Sequence, residues 1–183
     1  MTKGIEADFI YEPIGFAPLS LYGAVAYNDA EYEDFIGSCY TGQTVALGCD
    51  QLGNNAQTFS GRTPPKAPKW GARFGGSLDF PISDTMNFEV TGDANYTSSY
   101  NYTDALRPDA IQDEFVKFNA SAAVSGNDEM WKLSLIGRNL TNELVVTSAN
   151  DMSYTTPLTG GSPDMNGVVA QPREIYIEAA FKF

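Results

Sequence analysis

The chain has 183 residues, enough for one ordinary domain, and 11 Lys plus Arg against 23 Asp plus Glu give it a net charge of -12. An acidic excess of this size repels phosphate backbones and argues against nucleic acid as a partner. With no His in the chain, and no Gly-x-Ser-x-Gly or Walker-type loop, His-based catalysis and His-based metal binding are excluded, and no catalytic residue, cofactor site or metal site is expected.

Taken from the N-terminus, the chain alternates apolar and polar residues with a period of two. In GIEADFIY, Ile5, Ala7, Phe9 and Tyr11 oppose Glu6 and Asp8; in LSLYGAVAY, Leu19, Leu21, Val25 and Tyr27 oppose Ser20, Tyr22, Ala24 and Ala26. WGARFGGSLDF sets Trp70, Phe74, Leu78 and Phe80 against Arg73, Ser77 and Asp79, and MNFEVTGDANY sets Met86, Phe88, Val90, Ala94 and Tyr96 against Asn87, Glu89, Thr91, Asp93 and Asn95. VKFNASAAV follows the same code, with Val116, Phe118, Ala120, Ala122 and Val124 on one side and Lys117, Asn119 and Ser121 on the other. WKLSLIGR sets Trp131, Leu133 and Leu135 against Lys132, Ser134 and Arg138. In EIYIEAAFKF, Ile175, Ile177, Ala179, Phe181 and Phe183 oppose Glu174, Tyr176, Glu178 and Lys182. The pattern predicts about seven two-faced strands of roughly ten residues and no helix.

Short turns at 12–18, 81–85 and 126–129 alternate with long polar segments at about 30–67, 100–112 and 141–172. In an antiparallel up-and-down meander, all short turns then fall at one end and all long loops at the other. Cys39 and Cys49 share one of the long segments, with no third Cys to build a zinc site, and are expected to form a disulfide in an oxidising compartment.

Periodicity does not say which face is covered. A soluble ligand-binding or structural β-sheet domain would pack the apolar face into a core. A transmembrane barrel would turn it to lipid, and three features favour this. Strands of about ten residues match a bilayer core when tilted. Aromatics stand at strand ends, at Tyr11, Tyr27, Trp70, Phe80, Tyr96, Trp131 and Phe183. Loops of roughly 30 residues are uncommon in compact soluble domains. A transmembrane helix is not expected, since no run approaches the roughly 18 apolar residues it needs, and the first residues lack the apolar core of a signal peptide. Single-chain bacterial barrels have at least about eight strands, even in number, so seven imply a partial barrel.

At WKLSLIGRNLTNE the residues resemble the penultimate-strand motif of TonB-dependent outer-membrane receptors, with Trp131, Asn139, Leu140, Thr141, Asn142 and Glu143 in order. PREIYIEAAFKF resembles the last strand of that family, opening on Pro172 and Arg173 and ending on an aromatic residue, Phe183. KGIEADFIYEP, with Gly4 and Glu6, and SGRTPPKAPKW, with Arg62, Pro68 and Trp70, resemble internal segments of its barrel. The resemblance implies the last third or so of a 22-strand barrel in a Gram-negative outer membrane, without the signal peptide, the TonB box and the plug domain that precede it in the family. It implies short periplasmic turns and long extracellular loops, and import of a siderophore, cobalamin, saccharide or similar nutrient with energy from TonB. The implied partners are outer-membrane lipid and lipopolysaccharide, the rest of the barrel and its plug, TonB, and the barrel-assembly machinery, whose signal would be Ile175, Ile177, Ala179, Phe181 and Phe183.

Some residues invite a chemical role. Glu6 with Asp8, and Glu89 with Asp93, suit general acid and base catalysis, but on one strand face they fit a hydrated lumen wall better. DAEYEDF (29–35) lacks the spacing of a calcium loop and fits a solvated loop base. SSYNY (98–102) and the stretch 160–167 could hold sugar or siderophore by stacking and hydrogen bonding, or simply be rim residues.

Overall fold

The computed structural model of the protein describes residues 1–16, 18–49, 53–126, 130–152, 154–157 and 161–182. Its strands are β1 (Thr2–Tyr11), β2 (Leu19–Ala30), β3 (Ile36–Ser38), β4 (Ala56–Thr58), β5 (Trp70–Ser83), β6 (Met86–Thr97), β7 (Tyr100–Asn101), β8 (Ile111–Gln112), β9 (Phe115–Gly126), β10 (Trp131–Arg138), β11 (Val146–Asp151), β12 (Met165–Val169) and β13 (Glu174–Phe181). Among the described residues the only helical element is a 3-10 turn, Val45–Leu47.

A 7-stranded antiparallel sheet runs β1-β2-β5-β6-β9-β10-β13, so each long strand pairs with the next long strand in the chain. This is the predicted meander, and it is open: β1 and β13 stand at its two edges. The remaining strands pair as 2-stranded ribbons, β3 with β4, β7 with β8 and β11 with β12, one inside each long loop. These ribbons were not expected, because runs as short as Tyr100–Asn101 carry no periodicity of their own.

Register keeps the two faces in phase across the whole sheet. Ile5 lies opposite Tyr27 and Tyr27 opposite Trp70. Val90 pairs with Ala122, Ala122 with Leu135 and Leu135 with Ile177. Every strand therefore turns its apolar set the same way, and a slip of one residue anywhere would mix the faces. Among the described residues nothing covers the apolar face: Ile5 is 70% exposed, Phe74 56%, Leu135 52% and Ile177 72%.

Buried side chains lie instead mostly in the loops. Tyr40, Cys49, Phe59, Leu106, Ala110, Val145 and Ala149 are all nearly inaccessible. Phe59 anchors an aromatic cluster with Phe35 and Tyr32, at ring-centroid distances of 5.7 and 6.0 Å, and the Arg62 guanidinium sits 5.2 Å above its ring. The chain thus has a thin wall and a packed cap at its loop end.

The turn predicted at 81–85 is shorter than expected. Pro81, Ile82 and Ser83 belong to β5, with Pro81 opposite Asn87 and a bulge between Pro81 and Ser83. A proline fits there because the β2 side of β5 ends at the Leu19–Leu78 pair, so no ladder donor is needed at Pro81. The turn predicted at 126–129 lies outside the described residues except for Gly126.

Cys39 and Cys49 are joined by a disulfide, with Cα atoms 5.6 Å apart, in the loop between β2 and β5. Closing this short loop removes roughly 2.5–3 kcal/mol of unfolded-state entropy in a chain-entropy model. Thiol-directed alkylation of the unreduced protein is expected to leave both cysteines unmodified, and alkylation of both would contradict the bond.

Candidate functional site

The polar face is tied together by side chains that reach between strands. Arg73 on β5 lies 3.6 Å from Asp93 on β6 and donates to the Tyr22 hydroxyl on β2 at 3.3 Å. Asp93 accepts from Asn119 on β9 at 3.0 Å and from Asn95 beside it. Thr91 and Ser121 share a hydrogen bond of 2.7 Å, and Lys132 on β10 donates to Glu89 on β6 at 2.6 Å across the intervening β9. Arg138 stacks over Tyr176 at 5.4 Å. Partly exposed ion pairs of this kind add little stability singly, but they make the face hydrated and structurally continuous.

This network ends in the Asn-Leu-Thr-Asn stretch that terminates β10. The Asn139 N–H donates to the Asn119 side chain at 3.0 Å, continuing the line from Tyr22 through Arg73, Asp93 and Asn119. The buried Asn139 amide donates to the carbonyls of Glu143 and Gln171, at 2.9 and 3.2 Å, and its oxygen accepts the Glu143 N–H at 2.9 Å. The Thr141 hydroxyl donates to Val116 O at 2.8 Å, and Asn142 accepts the Arg173 N–H at 3.3 Å. Asn139 and Asn142 have φ of 47° and 58°, the left-handed region that Asn tolerates better than most residues. Leu140 folds back over Gly137, where a Cβ would come within 2.7 Å of its methyl. The clasp therefore joins β9, β10 and the entry to β13, and it stops β10 by saturating the backbone groups that would otherwise extend the ladder.

Trp131 stands at the other end of β10, opposite Phe181. Ile175, Ile177, Ala179 and Phe181 share the apolar face and are exposed. Phe183, expected to complete that set, lies outside the described residues.

A second hub, invisible in the sequence, locks the loop cap. Arg107, 3% exposed, donates twice to Asp109, at 3.0 and 2.6 Å, and pairs with Asp151 on β11 and with Pro163 O at 3.0 Å. Asp151 in turn accepts the Thr41 N–H at 3.0 Å, and Arg62 donates to Leu106 O at 3.0 Å. All three long loops meet here. The hydrogen bond from Arg107 holds the Asp109 carboxyl below its usual range. Burial works against ionised Asp151, but hydrogen bonds from Thr41 and Arg107 outweigh it and depress that carboxyl too.

The carboxylates Glu6, Asp8, Glu89 and Asp93 fall on one face, but Glu89 is committed to Lys132 and Asp93 to Arg73 and Asn119. Among the described residues no group of 3 or more His, Cys, Asp or Glu is arranged to hold a metal ion. Ser98 to Asn101 line a hollow at the loop end of the apolar face together with Trp70 and Tyr96.

An open antiparallel meander with one bare apolar face and one face of paired charges is a segment of a large β-barrel wall. No protein-family model matches the chain, and no curated protein matches it. Among solved structures, the siderophore receptor PiuA from Acinetobacter baumannii matches over 97% of this chain and 21% of its own length, with a TM-score of 0.62 at 16% identity. The likeness is one of fold, and the chain spans about a fifth of that receptor.

Asn139→Ala should lower stability by roughly 2–4 kcal/mol, since it strands the Glu143 N–H and two carbonyls in a buried turn. Asn142→Gly, which keeps the backbone conformation and loses one long hydrogen bond, should cost less than about 1 kcal/mol. Denaturant midpoints of the two variants distinguish them, and equal shifts would contradict the hub role of Asn139.

The cap should also be acid-labile. Carboxyls with depressed folded-state pKa stabilise fully above their unfolded value near pH 4, and that stabilisation is lost as pH falls through the folded value. A nitroxide at Asp104 is expected to give an unchanged spectrum from pH 8 to 5 and a sharpened one below about pH 4. Arg107→Met should sharpen it at neutral pH.

Proposed function

We propose that the chain is the C-terminal part of the barrel of a TonB-dependent outer-membrane receptor. It forms wall and loops of a transporter that imports a scarce nutrient and has no catalytic step of its own. The observation that carries this reading is the apolar face, continuous over seven strands and uncovered, set back to back with a face of paired charges. In a bilayer the first face meets lipid and the second lines a hydrated lumen. Backbone polar groups inside hydrocarbon must be paired internally, and among the described residues the antiparallel ladder does this along the long strands, leaving β1 and β13 as edges and the last residues of β5 without a β2 partner.

Those two edges would pair with the remainder of the barrel, around the plug. The short turns would face the periplasm, and the interlocked cap would face outward, where it helps shape the entrance. A siderophore, the ligand named for the similarly folded receptor, or another nutrient of that size is the proposed cargo, with energy delivered through TonB. On this reading the exposed Ile175, Ile177, Ala179 and Phe181, together with Phe183, also present the signal for the barrel-assembly machinery.

A soluble β-domain would have to hide the same face in a core. The test uses neighbouring positions on β13 that differ only in face. In the complete receptor, Ile177→Arg places a charge against lipid at about 2–4 kcal/mol, whereas Glu178→Arg stays in water. Folded, heat-modifiable protein in outer-membrane fractions should fall sharply for the first and little for the second. Equal levels, or a compact monomer purified without detergent, would overturn the membrane assignment.

A further inference from the structure

We propose that the Cys39–Cys49 disulfide is a redox-sensitive latch on the loop cap: oxidised, it seats the 39–49 loop against the β11–β12 ribbon, and reduced, it lets that loop swing away. The latch belongs to the cap alone and does not depend on what covers the sheet.

The junction is built on one carboxylate. Asp151, at the end of β11, accepts the Thr41 N–H on one oxygen at 3.0 Å and pairs with Arg107 through the other. Beside it, Gly42 lies against the turn of the ribbon so closely that a Cβ would come within 2.1 Å of the Gly161 carbonyl oxygen and 3.0 Å of Ser162 Cα. Gly42 has a φ of 81°, a conformation that a side chain would also strain. Thr41 and Gly42 thus form a tip that docks by close backbone contact, and its fit depends on the shape of the loop that carries it.

That shape has little else to hold it. Thr41, Gly42 and the 3-10 turn Val45–Leu47 are exposed, with Val45 72% and Leu47 60% open to solvent, and Thr44 gives the turn no side-chain cap. The buried residues of the loop are Tyr40 and Cys49. Gln43 braces the interior, accepting the Tyr40 N–H at 3.1 Å and donating to Leu47 O at 3.0 Å and to Gln57 Oε1 at 2.9 Å. Hydrogen bonds of this kind, exchanged against water, each add little net stability. A segment with few buried apolar contacts opens easily, so the covalent link decides its shape.

A dithiol reductant reaches the bond from Cys39, which is half-buried where Cys49 is 4% exposed. Its thiolate attacks Cys39 Sγ, the sulfur–sulfur bond breaks, and the electron pair leaves on Cys49 Sγ, which takes a proton. The second thiol of the reductant then displaces Cys39, which is protonated in turn, and the reductant departs as a cyclic disulfide. Two electrons and two protons have passed to the protein, and the tip is no longer held to its seat. Arg107 still holds Asp151 and Pro163 O, so the change is confined to the face between the 39–49 loop and the ribbon.

Hydrogen–deuterium exchange of the complete protein, either oxidised or reduced with dithiothreitol and alkylated beforehand, tests the latch. Peptides over 148–152 and 161–165 should exchange at least about ten-fold faster in the reduced protein, as loss of one hydrogen bond to a charged group implies. Peptides over β9 and β10 should not change. The double variant Cys39→Ser, Cys49→Ser, which carries no alkyl adducts, should match the reduced protein. Gly42→Val, which keeps the disulfide and spoils the seat, should speed exchange at 148–152 and 161–165 without reductant. Exchange of the ribbon that is unchanged after both cysteines are alkylated would overturn the latch and leave the disulfide a local staple. An increase spread equally through β9 and β10 would overturn it too, making the bond a support of the whole fold, and a Gly42→Val protein that exchanges like the unaltered one would contradict the seat.

Discussion

The structure depends on one constraint: six successive strand pairings that keep every apolar side chain in phase. Because the side-chain period of a strand is two, each pairing either preserves the division between faces or inverts it. From Ile5–Tyr27 at one edge to Leu135–Ile177 at the other, each preserves it. The result is a sheet whose apolar surface has no partner among the described residues. On the proposed reading, that surface faces lipid and the two unpaired edges meet further strands.

Given such a wall, the ordered packing must come from elsewhere. On the polar face it comes from hydrogen bonds and the Arg73–Asp93 ion pair, which together run from Tyr22 to Asn139 and end at Gln171. At the loop end it comes from a cap in which the Arg107 guanidinium joins two of the long loops, and Thr41 and Arg62 tie the third to Asp151 and Leu106. A buried arginine is tolerated only when its donors are filled, and here two carboxylates and a carbonyl do so. Loops cross-linked in this way are less free to move than their length suggests, so motion at the entrance would be concentrated outside this hub.

How much of this the sequence disclosed follows from range. Alternation is local, so strands such as Met86–Thr97 and their faces were legible from a window of ten residues or so. The terminating motif at Asn139 was visible as a pattern, but its role as a hub needs Asn119 and Gln171, which only the fold brings near. Arg107 in ALRPDA looks like any solvated loop charge, since its partner Asp151 is 44 residues away. The loop ribbons escaped because runs as short as Tyr100–Asn101 carry no periodicity. Pro81 misled in the opposite direction: proline usually marks a turn, but here β5 has outrun its neighbour on one side and the missing N–H costs nothing.

The central claim is that the apolar face meets lipid. It is tested most directly by placing nitroxides one at a time from Val116 to Val124 on β9 in the complete, reconstituted receptor, and measuring their collision rates with molecular oxygen and with a water-soluble nickel chelate. The account predicts a period of two, with oxygen contact highest at Val116, Phe118, Ala120, Ala122 and Val124, and chelate contact highest at Lys117, Asn119, Ser121 and Ala123. If the apolar positions were shielded from both probes, as in a sheet packed into a protein core, the account would be contradicted.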